Sequence, residues 1–138
     1  FVLFLCFLLI TQNFPGWAVL GVIPVLAIQI AFSIGLGIIL GVLNVFFRDV
    51  GQFVGIVMQF WFWLTPIVYP ASILPDRIRP VIEANPMFPL IAAYQGIFVY
   101  GRWPEWTTLW PSALLAMVLS LLAMRLFRKR SGEMVDEL

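Results

Sequence analysis

The sequence predicts an all-α integral membrane protein: a transmembrane helix bundle with two short re-entrant helices between its last two spans. Three observations predict it. The chain is 62% hydrophobic and 11% charged, with a mean hydropathy of +1.02, whereas soluble domains are nearer half apolar and a quarter charged. Long uncharged runs are separated by short polar breaks, as spans are. Between residues 66 and 104 prolines recur at 66, 70, 75, 80, 86, 89 and 104, which no simple span tolerates.

Phe1 to Ile10 is apolar but too short to cross a bilayer, which takes about 20 residues. Without a basic leader or a small-residue cleavage site it is no signal peptide. With no initiating Met, it is expected to be the end of a truncated span in a fragment whose N-terminal part is missing. Thr11 to Trp17 is a turn, with Asn13, Pro15 and Gly16 as breakers and Trp17 suited to a membrane interface.

Residues 18–43 form the first complete span. Gln29 and Ser33 lie one helical turn apart and are expected to face protein, while Gly35, Gly37 and Gly41 include a small pair, Gly37 and Gly41, that allows close helix approach. No strand precedes these glycines, so they are no nucleotide-binding loop. Residues 44–50 form a turn at a membrane surface. Arg48 and Asp49 would each cost about 2.5–3.5 kcal/mol at the bilayer centre. With Phe46 and Phe47 they are expected to form a short amphipathic element along that surface. Two readings stay open for the charges: an ion pair within an ordinary loop, or a partner contact.

Residues 51–69 form the next span, with a second small pair at Gly51 and Gly55. Phe60, Trp61, Phe62 and Trp63 are consecutive, so on a helix they point about 100° apart. They read as an interfacial aromatic belt or as the wall of a conduit in which sugar rings stack on aromatic faces. Residues 70–106 form an outer region around the polar patch Asp76, Arg77, Arg79 and Glu83. Apolar pieces at 65–74 and 87–100 have the length of re-entrant helices. Irregular backbone at that depth needs protein or a water-filled cavity beside it. A loop folded over the outer surface is the alternative. Residues 107–127 form the last span, and 128–138 a polar tail beginning Arg128-Lys129-Arg130.

Positive charge favours the cytoplasmic side. Arg48, Arg125, Arg128, Lys129 and Arg130 outweigh Arg77, Arg79 and Arg102, which Asp76, Glu83 and Glu105 dilute. The 44–50 turn and the C-terminus are therefore placed inside, giving inward, outward and inward crossings in a multi-pass inner-membrane protein. A net charge of +1 without His argues against nucleic-acid binding and against His-based catalysis or metal ligation. Cys6 can form no disulfide within the chain and reads as inert.

The run NVFFRDVGQFVGIVMQFWFWLTPIVYP, followed by ILP, NPMFPLIAAYQ and YGRWPEW, resembles the permease subunit of ABC-2 type exporters of polysaccharides and polyol phosphates. These carry O-antigen, capsule or teichoic acid chains. The resemblance covers nearly the whole chain and corresponds to the C-terminal half or so of such a permease. It implies a homodimer among membrane lipids, paired with cytoplasmic ABC ATPase subunits that hold ATP-Mg, and a lipid-linked polysaccharide as cargo. Phe46, Phe47, Arg48 and Asp49 become ATPase-coupling candidates. Phe60, Trp61, Trp63, Tyr69, Tyr94 and Gln95 become substrate-conduit candidates. Family members often carry Arg where this chain has Gln95.

The chain has no GxxxxGK[ST] motif, so hydrolysis belongs to a partner and the expected role is a transporter permease rather than an enzyme. Two alternatives remain: an ABC-2 permease for a drug or lipid, or a membrane enzyme acting on lipid-linked sugars. The enzyme would have to draw its acid and base from Asp49, Asp76, Glu83 or Glu105.

Overall fold

The computed structural model describes the backbone of residues 2–10, 14–67, 69 and 75–136, and the side chains of these except 2, 4, 5 and 131–136. The described residues are helical and contain no strand. In order they form α1 (Val2–Ile10), a 3-10 helix (Gly16–Gly21), α2 (Val22–Phe46), α3 (Asp49–Leu64), α4 (Arg79–Glu83), α5 (Phe88–Tyr100) and α6 (Trp106–Asp136). Two stretches, Gly16–Phe46 and Trp106–Arg130, are long and apolar enough to cross a membrane.

α2 and α6 are the backbone of the bundle and run in the same direction. Gly21 meets Pro104 at one end, Gly35 meets Leu119 and Ser120 midway, and Phe46 meets Arg130 at the other end. The midpoint contact depends on a glycine. A Cβ at Gly35 would stand 2.8 Å from the Ser120 nitrogen and 2.9 Å from the Leu119 carbonyl carbon. The close approach that the Gly37 and Gly41 pair allows is not used within this chain: beyond its own helix, neither has an atom within 4 Å of where a Cβ would lie. Periodicity finds small residues on a helix, but only the partner's position decides which one is used.

The α2–α3 turn is tighter than predicted, because α2 runs on to Phe46 and α3 begins at Asp49. Phe47 is extended, and its N–H still bonds the Leu43 carbonyl at 2.8 Å. The Asn44 side chain accepts the Gly51 N–H at 2.8 Å, satisfying a first-turn donor of α3. Phe46 therefore ends α2 rather than starting a separate surface element. Among the described residues Arg48 and Asp49 are exposed and make no ion pair.

The span predicted over 51–69 stops as helix at Leu64. Thr65 precedes Pro66, which disfavours helical backbone at Thr65 and puts it at φ −100°, ψ 123°. The 16 residues of α3 extend about 24 Å at 1.5 Å each, short of the roughly 30 Å of a bilayer's hydrocarbon core. Of the first predicted re-entrant piece, 65–67 and 69 are non-helical and 68 and 70–74 lie outside the described residues. The second, 87–100, is α5. The polar patch between them carries the five-residue α4, closed by an Arg79–Glu83 ion pair of 2.8 Å.

α3 and α5 both run opposite to α2, and they follow one another along it. α3 rises from Asn44 to the level of Phe32, whose ring meets that of Trp61 edge-on with centroids 6.4 Å apart. α5 starts near that level and ends where Ile97 reaches Gly21. It closes on Gly101 in the left-handed region at φ 60°, with the Gly101 and Arg102 N–H groups bonded to the Ile97 and Gly96 carbonyls. The core lies where the 3-10 helix, α2, α5 and α6 converge: Ala18, Val22, Val25, Leu90, Ala93, Ile97 and Leu109. The tail is helical through Asp136, so α6 outlasts the span predicted to end at 127.

Candidate functional site

The junction between α3 and α5 is built from two proline-flanked breaks that the sequence separates by 20 residues and hydrogen bonds bring together. Thr65 is buried, at 3% exposure. Its hydroxyl donates to the Trp61 carbonyl at 2.9 Å, taking up an acceptor freed where α3 ends. The same oxygen accepts from Asn85 Nδ2 at 2.9 Å. Asn85 Oδ1 in turn accepts the Trp61 indole N–H at 2.9 Å and the Met87 N–H at 3.0 Å. One amide thus closes the turn that leads into α5 and pins it to the end of α3. Around it, Gln95 Nε2 donates to the Pro66 carbonyl at 3.1 Å and the Ser112 hydroxyl to the Pro86 carbonyl at 2.8 Å. The Pro66 and Pro86 carbonyls, at the two breaks, are thus each met by a side chain. Among the described residues no buried side-chain polar atom lacks a partner.

Beside this junction a cleft of about 350 Å³ opens between α2 and α3, lined chiefly by Phe32, Leu36, Leu40, Met58, Phe62 and Met87. Its wall is almost wholly apolar, and Trp61 and Thr65 of the junction are part of it.

The six conduit candidates divide between three surroundings. Trp61 and Gln95 belong to the junction. Tyr94 bonds Gln29 Oε1 at 2.8 Å and stacks on Phe98 with centroids 6.5 Å apart, beside the core. The Tyr69 hydroxyl donates to the Trp63 carbonyl at 2.7 Å, while the Phe60 and Trp63 side chains are exposed. α3 buries none of its residues within this chain, so its remaining faces are open to lipid, to a partner or to a channel. The coupling candidates stay together at the α2–α3 turn. Phe46 is half-buried, with the Arg130 guanidinium 5.3 Å from its ring centre, and Phe47, Arg48 and Asp49 are exposed.

Sequence reasoning missed Asn85 and Thr65 as the residues that organise the junction, while Gln29, expected to face protein, bonds Tyr94 beside the core. Asn before Pro was a visible signal for a side-chain-capped turn. The carboxylates needed by a membrane enzyme do not gather: Asp49 lies at the α2–α3 turn, Glu83 is paired on α4 and Glu105 precedes α6. Among the described residues no group of three or more His, Cys, Asp or Glu could hold a metal ion.

Residues 1–99 match the family described as ABC-2 type transporter. This chain belongs to that family. The ABC-2 chain is 33% identical over 128 residues to the O-antigen export system permease protein RfbA of Myxococcus xanthus, covering 91% of this chain and 49% of that protein. Over 98 residues it is 34% identical to an O-antigen export system permease protein RfbA of Klebsiella pneumoniae, covering 70% of this chain and 38% of the relative. A second such protein of Klebsiella pneumoniae is 36% identical over 80 residues, 57% of this chain and 31% of the relative. The chain thus spans about half the length of the first relative and less of the others. The match falls on an N-terminal portion, with residues 1–99 matched to the family, and not on a C-terminal portion. The expected placement as the C-terminal half of a permease therefore does not stand.

Proposed function

We propose that this ABC-2 chain belongs to the permease subunit of an exporter that moves a lipid-linked, O-antigen-like polysaccharide across the cytoplasmic membrane. The observation that carries the reading is the interrupted return path. α3 is too short to cross alone, α5 continues in its direction, and the break between them lies near the middle of α2. A polar break at that depth is stable only when its backbone groups are met by protein or face a water-filled path. Here side chains meet the Pro66 and Pro86 carbonyls. This arrangement supports the re-entrant reading of α5, and the similarity to O-antigen export permeases supports the cargo.

In this reading a separate ATPase subunit binds and hydrolyses ATP-Mg, and two permease copies pair in the membrane. Phe47, Arg48 and Asp49, exposed at the α2–α3 turn, reach the ATPase. Phe46, held under Arg130, passes the motion to the parallel pair α2 and α6. Coupling needs a surface that the ATPase contacts differently in its two states. An exposed turn joined to the two longest helices meets that requirement. Phe60 and Trp63 on the open side of α3 offer ring faces to the glycan.

Co-purification tests this. The full-length protein, tagged and gently solubilised, is expected to bring a stoichiometric ATPase subunit, and the Arg48→Ala, Asp49→Ala double variant to lose most of it. An ATPase retained by both would remove the coupling role of the charged pair. None in either, under several mild detergents, would count against the exporter.

The apolar wall of the cleft between α2 and α3 favours one second reading, a lipid or drug as cargo. Replacing Phe60 and Trp63 by Leu separates the two: glycan passage needs the ring faces, whereas an apolar cargo tolerates the change.

A further inference from the structure

A second cleft, of about 370 Å³, runs along α5 from Phe88 to Tyr100 and is closed by the 101–105 turn and the start of α6. Its lining includes Gln95, Tyr100, Arg102, Trp103, Glu105 and Thr108. Its chemistry differs from that of the cleft between α2 and α3, because aromatic faces here stand beside a cation, a carboxylate, an amide and a hydroxyl. The Tyr100 and Trp103 side chains are 70% and 55% exposed, and the Arg102 guanidinium lies 5.9 Å from the Tyr100 ring centre. Glu105 makes no ion pair among the described residues.

The wall is held in place from behind. Gly101 turns the chain in the left-handed conformation. Pro104 is buried against Gly21, so closely that a Cβ there would lie 2.7 Å from the Pro104 Cδ. Thr108 Oγ donates to the Glu105 carbonyl at 2.8 Å, which fixes the first turn of α6 beneath the cleft. Rigid backbone leaves little ordering cost for a ligand that enters.

We propose that this cleft is a sugar-binding subsite for a pyranose unit of the exported chain. The inference rests on the glycan-export reading above. A pyranose has apolar C–H faces and a rim of hydroxyls that both donate and accept. Tyr100 and Trp103 offer flat apolar surface with polar tips. Glu105 accepts from hydroxyls, Arg102 donates to them, and Thr108 adds a hydroxyl oxygen. One positive and one negative side chain leave the lining without net charge, which suits a neutral polyhydroxylated ligand better than an anion. The volume falls within the range of small-molecule sites, about 300–1,000 Å³.

Isothermal titration of the solubilised full-length protein tests the site, with the host's own surface polysaccharide as probe, freed from its lipid by mild acid. The wild-type protein is expected to bind saturably. Trp103→Ala and Glu105→Gln are expected to weaken binding about tenfold, and Trp103→Phe, which keeps a ring, to retain most of it. Trp110→Phe, an exposed α6 tryptophan outside the cleft, is expected to bind as wild type.

Absence of binding, or equal binding by wild type, Trp103→Ala and Glu105→Gln, overturns the proposal. Heat released with phosphatidylglycerol bicelles but not with the polysaccharide makes the cleft a headgroup site and also overturns it. The export reading is scored separately, by surface polysaccharide in a strain lacking the gene. If that strain loses its surface chains while Trp103→Ala binds normally, the subsite alone fails.

Discussion

Asn85 shows how much can depend on one short side chain. It accepts from Trp61 and Met87 and donates to Thr65. Asn85→Ala leaves the part-buried Trp61 indole N–H and Met87 N–H without their acceptor, while the Thr65 hydroxyl keeps its bond to the Trp61 carbonyl. A buried polar group left unsatisfied costs about 1–3 kcal/mol, so the variant is expected to unfold at lower temperature in detergent, with Asn85→Asp intermediate because its carboxylate still accepts. An unchanged melting temperature in Asn85→Ala would show that the junction does not hold α3 to α5. Asn44 has a smaller version of the same task, accepting the Gly51 N–H. Asn44→Ala is expected to cost about 1 kcal/mol, the usual loss for a helix cap, read in the same melting assay. Trp61 and Thr65 are one helical turn apart and meet locally, but nothing in the spacing foretells that Asn85 joins them, because that contact exists only once the 85–87 turn packs against the end of α3.

The helices α2 and α6 depend on Gly35. Overpacking a tight contact typically costs about 1–3 kcal/mol. Gly35→Ala is therefore expected to destabilise the protein measurably in thermal unfolding, because its Cβ would meet Ser120 and Leu119 backbone. Gly37→Ala, which meets nothing within 4 Å, is expected to be neutral. The reverse ranking would contradict the parallel packing described.

The contrast also shows what the sequence makes legible. Uncharged length is a local property, and it marked α2 and α6 well. The stop at Thr65-Pro66 was equally local, yet the apolar residues beyond it masked the break and stretched the predicted span to 69. α5 could be read from its length and from Asn85-Pro86 at its start. The choice of Gly35 over Gly37 could not, because it depends on where a helix 85 residues away along the chain comes to lie. The aromatic run at 60–63 was visible, but its division between junction and open surface follows from where α2 sits against α3.

At the scale of the whole molecule, polarity is divided along the bundle. One end carries the α2–α3 turn and the basic end of α6, with Arg130 over Phe46. The other carries the 3-10 helix, the Gly101 turn and the mixed cleft around Trp103. Between them runs the broken return path of α3 and α5. In the exporter proposed above, the first end would meet the ATPase and the second would release cargo, with the broken path between them.

Deleting the full-length gene and following both ends of the pathway tests the central claim most directly. Surface polysaccharide and the lipid-linked chain inside the cell are measured together, with the intact gene restored as control. The account predicts that surface chains disappear while lipid-linked chains accumulate inside, and that the restored gene reverses both. Surface polysaccharide at its normal level, with no accumulation inside, would contradict it.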